Sequence, residues 1–152
     1  MTDPKRRFTV KTVKQIELWL NNVPGQLSDI SDILSDNRID IIACCCATTH
    51  EEKGLFYFVA NNPDRAVNVL KSTGYKIKTK QVIACEIPNH PGGMNVVLKL
   101  LKDAKVNLDY IYPCMGTGDI TVVILGVGAI KKTLKIMEDN WITVWGDDLY
   151  HI

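Results

Sequence analysis

Few residues in this chain have both the type and the spacing to do chemistry. Asn22-Val23-Pro24-Gly25-Gln26-Leu27 and Asn89-His90-Pro91-Gly92-Gly93-Met94 are two copies of one short pattern, with Gly25 recurring as Gly92, 67 positions on. Glycine at 25 and at 92–93 lets backbone approach a bound group with no Cβ in the way. A helix is expected to start directly after each pattern. Its first N–H groups lack intrahelical acceptors and carry the positive end of the helix dipole. A carboxylate placed there would be held mainly by backbone. Asn22 and Asn89 are suited to capping the turn or to hydrogen-bonding an ammonium. The plainer reading is a tight Pro-Gly turn with an Asn cap and no ligand.

Other chemical signals are weaker. Cys44-Cys45-Cys46 invites a metal or redox reading, but consecutive strand residues point to opposite faces, and zinc sites use spacings such as C-x2-C. Small apolar core residues account for these thiols better, and no metal or cofactor is expected. Cys85 and Cys114 are distant in sequence. His50-Glu51-Glu52 reads as a solvated turn, His151 as an exposed tail residue, and Lys5-Arg6-Arg7 as a solvated arm. Gly126-Val127-Gly128 lacks the third glycine of a dinucleotide-binding fingerprint. There is no P-loop, no G-x-S-x-G and no evident nucleophile–base pair, so the chain reads as non-enzymatic.

Composition narrows the classes further. The 152 residues are 46% hydrophobic and 23% charged, with 18 basic and 17 acidic residues, a net charge of +1 that gives no footprint for nucleic acid. No run approaches the ~18 apolar residues that span a bilayer. Met1 to Lys11 is polar and lacks the apolar stretch of a secretory signal, so a cytoplasmic location is expected, with the five cysteines as free thiols.

The elements that must position the two turns repeat with them. Leu27, Ile30, Ile33 and Leu34 map onto Met94, Val97, Leu100 and Leu101, each set spaced as one helix face. Ile39-Asp40-Ile41 maps onto Val106-Asn107-Leu108, the start of a strand in each copy. Each copy therefore reads β-α-β-β-α-β. In the first, strands are expected over Gln15–Asn21, Ile39–Thr48, Leu55–Ala60 and Tyr75–Thr79. Helices run from Gln26 to Ser35, and from the Asn62-Pro63-Asp64 start to a stop at Gly74. In the second, strands fall at Val82–Ile87, Val106–Met115, Ile120–Gly126 and Trp141–Trp145, with helices at Gly93–Asp103 and Ala129–Asp139. No Pro-, Gly- or Ser-rich linker interrupts Tyr75 to Ile87, so one long strand is expected to join the copies. The fold class is α+β: two ferredoxin-like modules, each an antiparallel sheet with helices on one face. The expected division is an arm over 1–13, a first module over 14–80 and a second over 81–152. Modules of this size have marginal cores alone, so the pair is expected to fold as one unit.

With a strand, an Asn-x-Pro-Gly-x-Leu turn, a helix and an Ile-x-Ile strand in place, the chain resembles the ACT domain family, and in particular its stand-alone tandem proteins, over roughly residues 14 to 147. Asn107-Leu108-Asp109-Tyr110-Ile111-Tyr112 resembles the Asn-x-x-Tyr-x-Tyr strand of those proteins. One departure is Lys53-Gly54-Leu55-Phe56-Tyr57, where Tyr57 stands in place of an arginine; this bears on the ligand rather than the fold. The resemblance implies regulatory binding of a small amino acid, where a strand–helix turn faces a strand of its neighbour. On that basis the expected ligand residues are both turns together with Ile111 and Tyr112, while strand two of the first copy offers Cys44 and Cys46. Which strand parity faces the site stays open. The other readings are a non-catalytic regulatory subunit of a metabolic enzyme with no ligand of its own, and a small thiol protein. Open sheet edges and a bare sheet face point to a homodimer.

Overall fold

In the computed structural model, which describes residues 10–48 and 53–152, the chain runs β1 (Val13–Asn21), α1 (Gln26–Asp36), β2 (Ile41–Thr48), β3 (Lys53–Ala60), α2 (Pro63–Ser72) and β4 (Ile77–Ile87). It continues through α3 (Gly93–Asp103), β5 (Leu108–Pro113), β6 (Thr121–Val127), α4 (Ile130–Asp139) and β7 (Val144–Trp145) to a short 3-10 turn, Asp147–His151. Lys5-Arg6-Arg7 and His50-Glu51-Glu52 lie outside the described residues. The β-α-β-β-α-β order appears twice. The closing 3-10 turn is an element that the apolar pattern does not announce.

The strands form one antiparallel sheet in the order β2-β3-β1-β4-β6-β5, with β7 also paired to β4. The join between repeats is β4 itself. Its first half, Ile77 to Val82, pairs with β1, and its second half, Ile83 to Ile87, pairs with β6. Two strands expected on either side of Lys80-Gln81 are thus one strand. The chain has no Gly or Pro there to break it, and each half finds its own neighbour. The edge strands then meet: an isolated bridge joins Ala43 to Cys114, and the Met115 N–H donates to the Ile42 carbonyl at 2.7 Å.

Apolar periodicity becomes three cores. Ile16, Leu18 and Leu20 of β1 pack with Phe56 and Phe58 of β3 under Ile30 and Leu34 of α1 and Leu70 of α2. Ile83 and Cys85 of β4, with Val123 and Leu125, pack under Val97, Leu101 and Met137 of α3 and α4. A middle core holds no residue of these four helices: Val13, Ile42, Val59, Val82, Tyr112 and Ile124 come from both repeats, with Leu149 of the 3-10 turn. The sheet halves therefore face each other, with a helix pair outside each.

The repeat offset holds in backbone geometry as well as in sequence. The positive-φ positions after α1 and α3 are Arg38 and Lys105, and those after α2 and α4 are Gly74 and Trp141, each pair 67 positions apart. Glycine is the residue that adopts this conformation without steric cost. Trp141 adopts it with its side chain 94% exposed.

Candidate functional site

Each Pro-Gly turn is shaped by the glycine that precedes its helix. Gly25 (φ 92) and Gly92 (φ 83) are the N-cap residues of α1 and α3, both left-handed, and neither helix has a side-chain cap. Asn22 and Asn89 therefore do not cap. Asn22 to Gly25 and Asn89 to Gly92 are all exposed. In the first turn the Val23 N–H donates to Asn21 O (2.8 Å) and the Asp29 N–H to Gly25 O (2.9 Å). Among the described residues, the N–H groups of Gln26, Leu27 and Ser28 find no acceptor. The second turn is tied more tightly to itself. The Gly93 N–H donates to His90 O (2.8 Å), the Asn95 N–H to Gly92 O (3.0 Å), and the His90 Nδ1–H to Pro91 O (2.9 Å).

One residue pair shows how the two turns solve the same strand ending differently. In the first, Gln26 Oε1 accepts the Asn21 N–H at 2.9 Å. In the second, the corresponding residues are Gly93 and Pro88: the donor is gone, and so is the side chain that would accept it. Gly93 cannot carry a side chain, because a Cβ there would sit 1.8 Å from the Pro88 carbonyl oxygen. Charge differs as well. α1 has Asp29 in its first turn and α3 has no acid there. A bare anion is thus opposed at the first turn, where the open amides are, while a zwitterion finds both an N–H cluster and a carboxylate.

The two turns are not neighbours along the sheet. β1 runs antiparallel to β4, Val13 opposite Val82 and Leu18 opposite Ile77, so Asn21 and Ile87 lie at opposite ends of the ladder. Around the first turn the side chains of Trp19, Val23 and Leu27 are 52%, 54% and 41% exposed. At the second, Met94 is 44% exposed, and the exposed Ile120 precedes Thr121, which pairs with Ile87.

Ile111 and Tyr112 point to opposite faces of β5. Ile111 packs in the core under α3 and α4, and Tyr112 in the core between the sheet halves. The Tyr112 hydroxyl donates to Gln15 Oε1 at 2.5 Å, and the Gln15 Nε2 donates to Tyr110 Oη at 2.8 Å and to Glu17 Oε1 at 2.9 Å. Gln15 is fully buried, and its amide links β1 of one repeat to β5 of the other. Burial raises the Tyr112 phenol well above its ordinary pKa, so it stays a neutral donor. Tyr110 stacks on Tyr57 with ring centroids 4.8 Å apart, and Lys80 Nζ lies 5.3 Å from the Tyr110 ring. Gly126 makes room for that ring, since a Cβ there would fall 2.2 Å from Tyr110 Cζ. The glycine that looked like a fragment of a nucleotide fingerprint is a seat for an aromatic side chain. Gln15 escaped sequence reading because a lone glutamine in an alternating strand has no periodic signal; its only hint is its place among apolar residues.

The thiols divide as strand alternation requires. Cys44 packs toward the helices, Cys45 toward the middle core, and Cys46 is exposed. Burial pushes the Cys85 and Cys114 thiols up to about 12, which suits inert packing rather than nucleophilic work. No group of His, Cys, Asp and Glu among the described residues could hold a metal ion, and no helix among them is long and apolar enough to cross a membrane. Two surface depressions lie away from the turns: one of about 530 Å³ where Thr12, Asn62, Gln81 and Tyr150 meet, and one of about 310 Å³ beside the α1–β2 connection.

Comparison with solved structures places this architecture. Protein BT0572 from Bacteroides thetaiotaomicron superposes with a TM-score of 0.85 at 23% identity, covering 93% of this chain and 97% of that one. The regulatory subunits of aspartate kinase from Thermus thermophilus and Thermus flavus give TM-scores of 0.59 and 0.56, each at 12% identity. They cover 83% and 84% of this chain, and 90% and 92% of theirs. At these identities the likeness is one of fold. Among curated proteins there is no match. A family profile described as "ACT domain pair" matches residues 11–151, and with the doubled β-α-β-β-α-β fold around two Pro-Gly turns, the chain belongs to that family.

Proposed function

We propose that this protein is a non-catalytic, cytoplasmic regulatory module that binds a small amino acid at its Pro-Gly turns. The observation that carries the reading is where large apolar side chains are left open. Leu27 and Met94, 67 positions apart at the start of α1 and α3, are 41% and 44% exposed, with Val23 exposed in the first turn. A large apolar side chain left open at the matching position of both turns is a surface suited to cover by a ligand or partner. The first turn, with the open N–H groups of Gln26, Leu27 and Ser28 beside Asp29, suits an amino acid's carboxylate and ammonium. The strand that closes the site comes from a second copy, in a homodimer. The working division is a module over 14–80 and another over 81–152. Similarity to regulatory subunits of aspartate kinase supports a role in regulating a partner enzyme.

A thermal-shift titration with each of the twenty protein amino acids tests this. Ligand at ~100 times its Kd stabilises by ~2.7 kcal/mol, a rise of ~5–10 °C for a chain of this size. One or a few amino acids are expected to give a saturable rise, lost in Leu27→Glu or Met94→Glu. No response to any of them would remove the ligand reading and leave an interaction subunit.

A further inference from the structure

Trp141 is the least covered large apolar side chain among the described residues: it is 94% exposed, just beyond the end of α4. Its backbone is left-handed (φ 59), a conformation that strains a bulky aromatic residue. The matching position of the first repeat, 67 residues earlier, holds Gly74, which adopts that conformation freely. Glycine would therefore serve to end α4, and the fold gains nothing from an indole held in water. Tryptophan is among the side chains most enriched where a few residues carry the binding energy of an interface.

The first repeat carries a depression that suits such an anchor. Its volume is about 310 Å³, at the small end of the roughly 300 to 1,000 Å³ of ligand sites, and it lies between α1 and the start of β2. Leu34, Ile39 and Ile41 give it an apolar side. The Arg38 guanidinium, with no ion pair among the described residues, is a cation for the face of the ring. The exposed hydroxyls of Ser31 and Ser35 can accept the indole N–H.

Charge favours the same pairing. α1 exposes Asp29, Asp32 and Asp36, and α4 exposes Lys131, Lys132 and Lys135. Among these six only Lys135 has an ion pair within the described residues, to Asp139 of its own helix at 2.9 Å. Asp29 lies nine residues before Arg38, and Lys132 nine before Trp141, about 14 Å along a helix axis in each case. A neighbour's α4 laid alongside α1 in the same direction thus brings its lysine end to Asp29 and Asp32, and Glu138 near Arg38, as Trp141 reaches the depression.

We propose that Trp141 of one copy docks in the α1–β2 depression of a second copy. α1 lies outside one sheet half and α4 outside the other, so a copy cannot fill its own depression. A copy that gives Trp141 to one neighbour still offers its depression to another, and such a head-to-tail contact repeats until a ring closes or a chain grows. The contact is separate from the Pro-Gly turns and does not depend on their binding anything.

Sedimentation velocity of the full chain from about 1 to 200 µM, with variants of each side, tests this. The native chain should grow with concentration. Trp141→Gly should melt no lower than the native chain and associate at least about thirtyfold more weakly. The double variant Ser31→Arg/Ser35→Arg, at exposed positions of α1, fills the depression and should associate as weakly. Mixing the two variants should restore a heavier species, because each supplies what the other lacks. A dimer formed at the turns persists in both variants, so its presence or absence is read independently. Association unchanged by Trp141→Gly, a lower melting temperature in that variant, or no heavier species on mixing would each overturn the proposal. So would a native chain that grows no larger than the species both variants retain.

Discussion

At the residue scale, the most informative side chain is Gln15, because a buried amide with both ends engaged is costly to disturb from either side. Replacing it by leucine keeps the volume but leaves the Tyr112 hydroxyl, 3% exposed, without its acceptor. The expected loss is ~1–3 kcal/mol, read as a lower midpoint in urea with an unchanged slope. The glycines make a sharper contrast. Gly93→Ala drives a Cβ into the backbone oxygen of Pro88 and should cost several kcal/mol or prevent folding, whereas Gln26→Ala at the matching position removes one exposed hydrogen bond and should cost ~0.5–1.5 kcal/mol. Equal losses in the two variants would mean the turns are less different than their bonds indicate. Cys85 adds a pH dependence. Its folded pKa, about 12, is raised from an ordinary 9.0, so the folded protein holds this proton more tightly than the unfolded chain. Its contribution is complete below pH 9 and falls by ~1.4 kcal/mol per pH unit as pH rises toward 12. Alkaline denaturation of Cys85→Ala should show a shallower slope across that window.

At the element scale, β4 is the piece on which both repeats depend, and its continuity follows from an absence of breakers between Tyr75 and Ile87. Lys80 sits in the β1–β4 ladder opposite Gln15. Lys80→Pro should disrupt both repeats together, since proline there removes a strand donor and bends the only strand they share. Circular dichroism should show one broad loss, not a half-molecule that stays folded. The helices and long strands were legible from apolar spacing to within a residue or two. β7 was not: five residues were expected and two pair, because Trp141 and Ile142 are used in ending α4 and packing beneath it.

At the scale of the whole molecule, the middle core unites the two repeats. Ala43 and Cys45 of the first repeat correspond, 67 positions on, to Tyr110 and Tyr112 of the second. The repeats have thus diverged in size at matching positions, and the larger side chains of the second fill the middle core, Tyr110 by stacking on Tyr57 of the first and Tyr112 by packing with its buried residues. A chain ending at residue 80 loses that cover over Val13, Val59 and Gln15. Residues 14–80 alone are therefore expected to be unfolded or molten, with the full chain unfolding in one transition. A cooperative melt of the isolated segment would show that the middle core is dispensable.

The sequence by itself determined the doubled β-α-β-β-α-β order, the two glycine turns and the core faces of the helices, because periodicity, glycine conformation and internal repetition are local properties that a linear string records. Only the tertiary structure decided which face of β5 meets β1, that Tyr112 is engaged by Gln15, and that Gly126 seats an aromatic ring. Those outcomes depend on how two sheet halves joined by one strand fold against each other. Contacts between residues 95 or 136 positions apart, as in Gln15–Tyr110 and Lys14–Tyr150, leave no mark in the spacing of either segment.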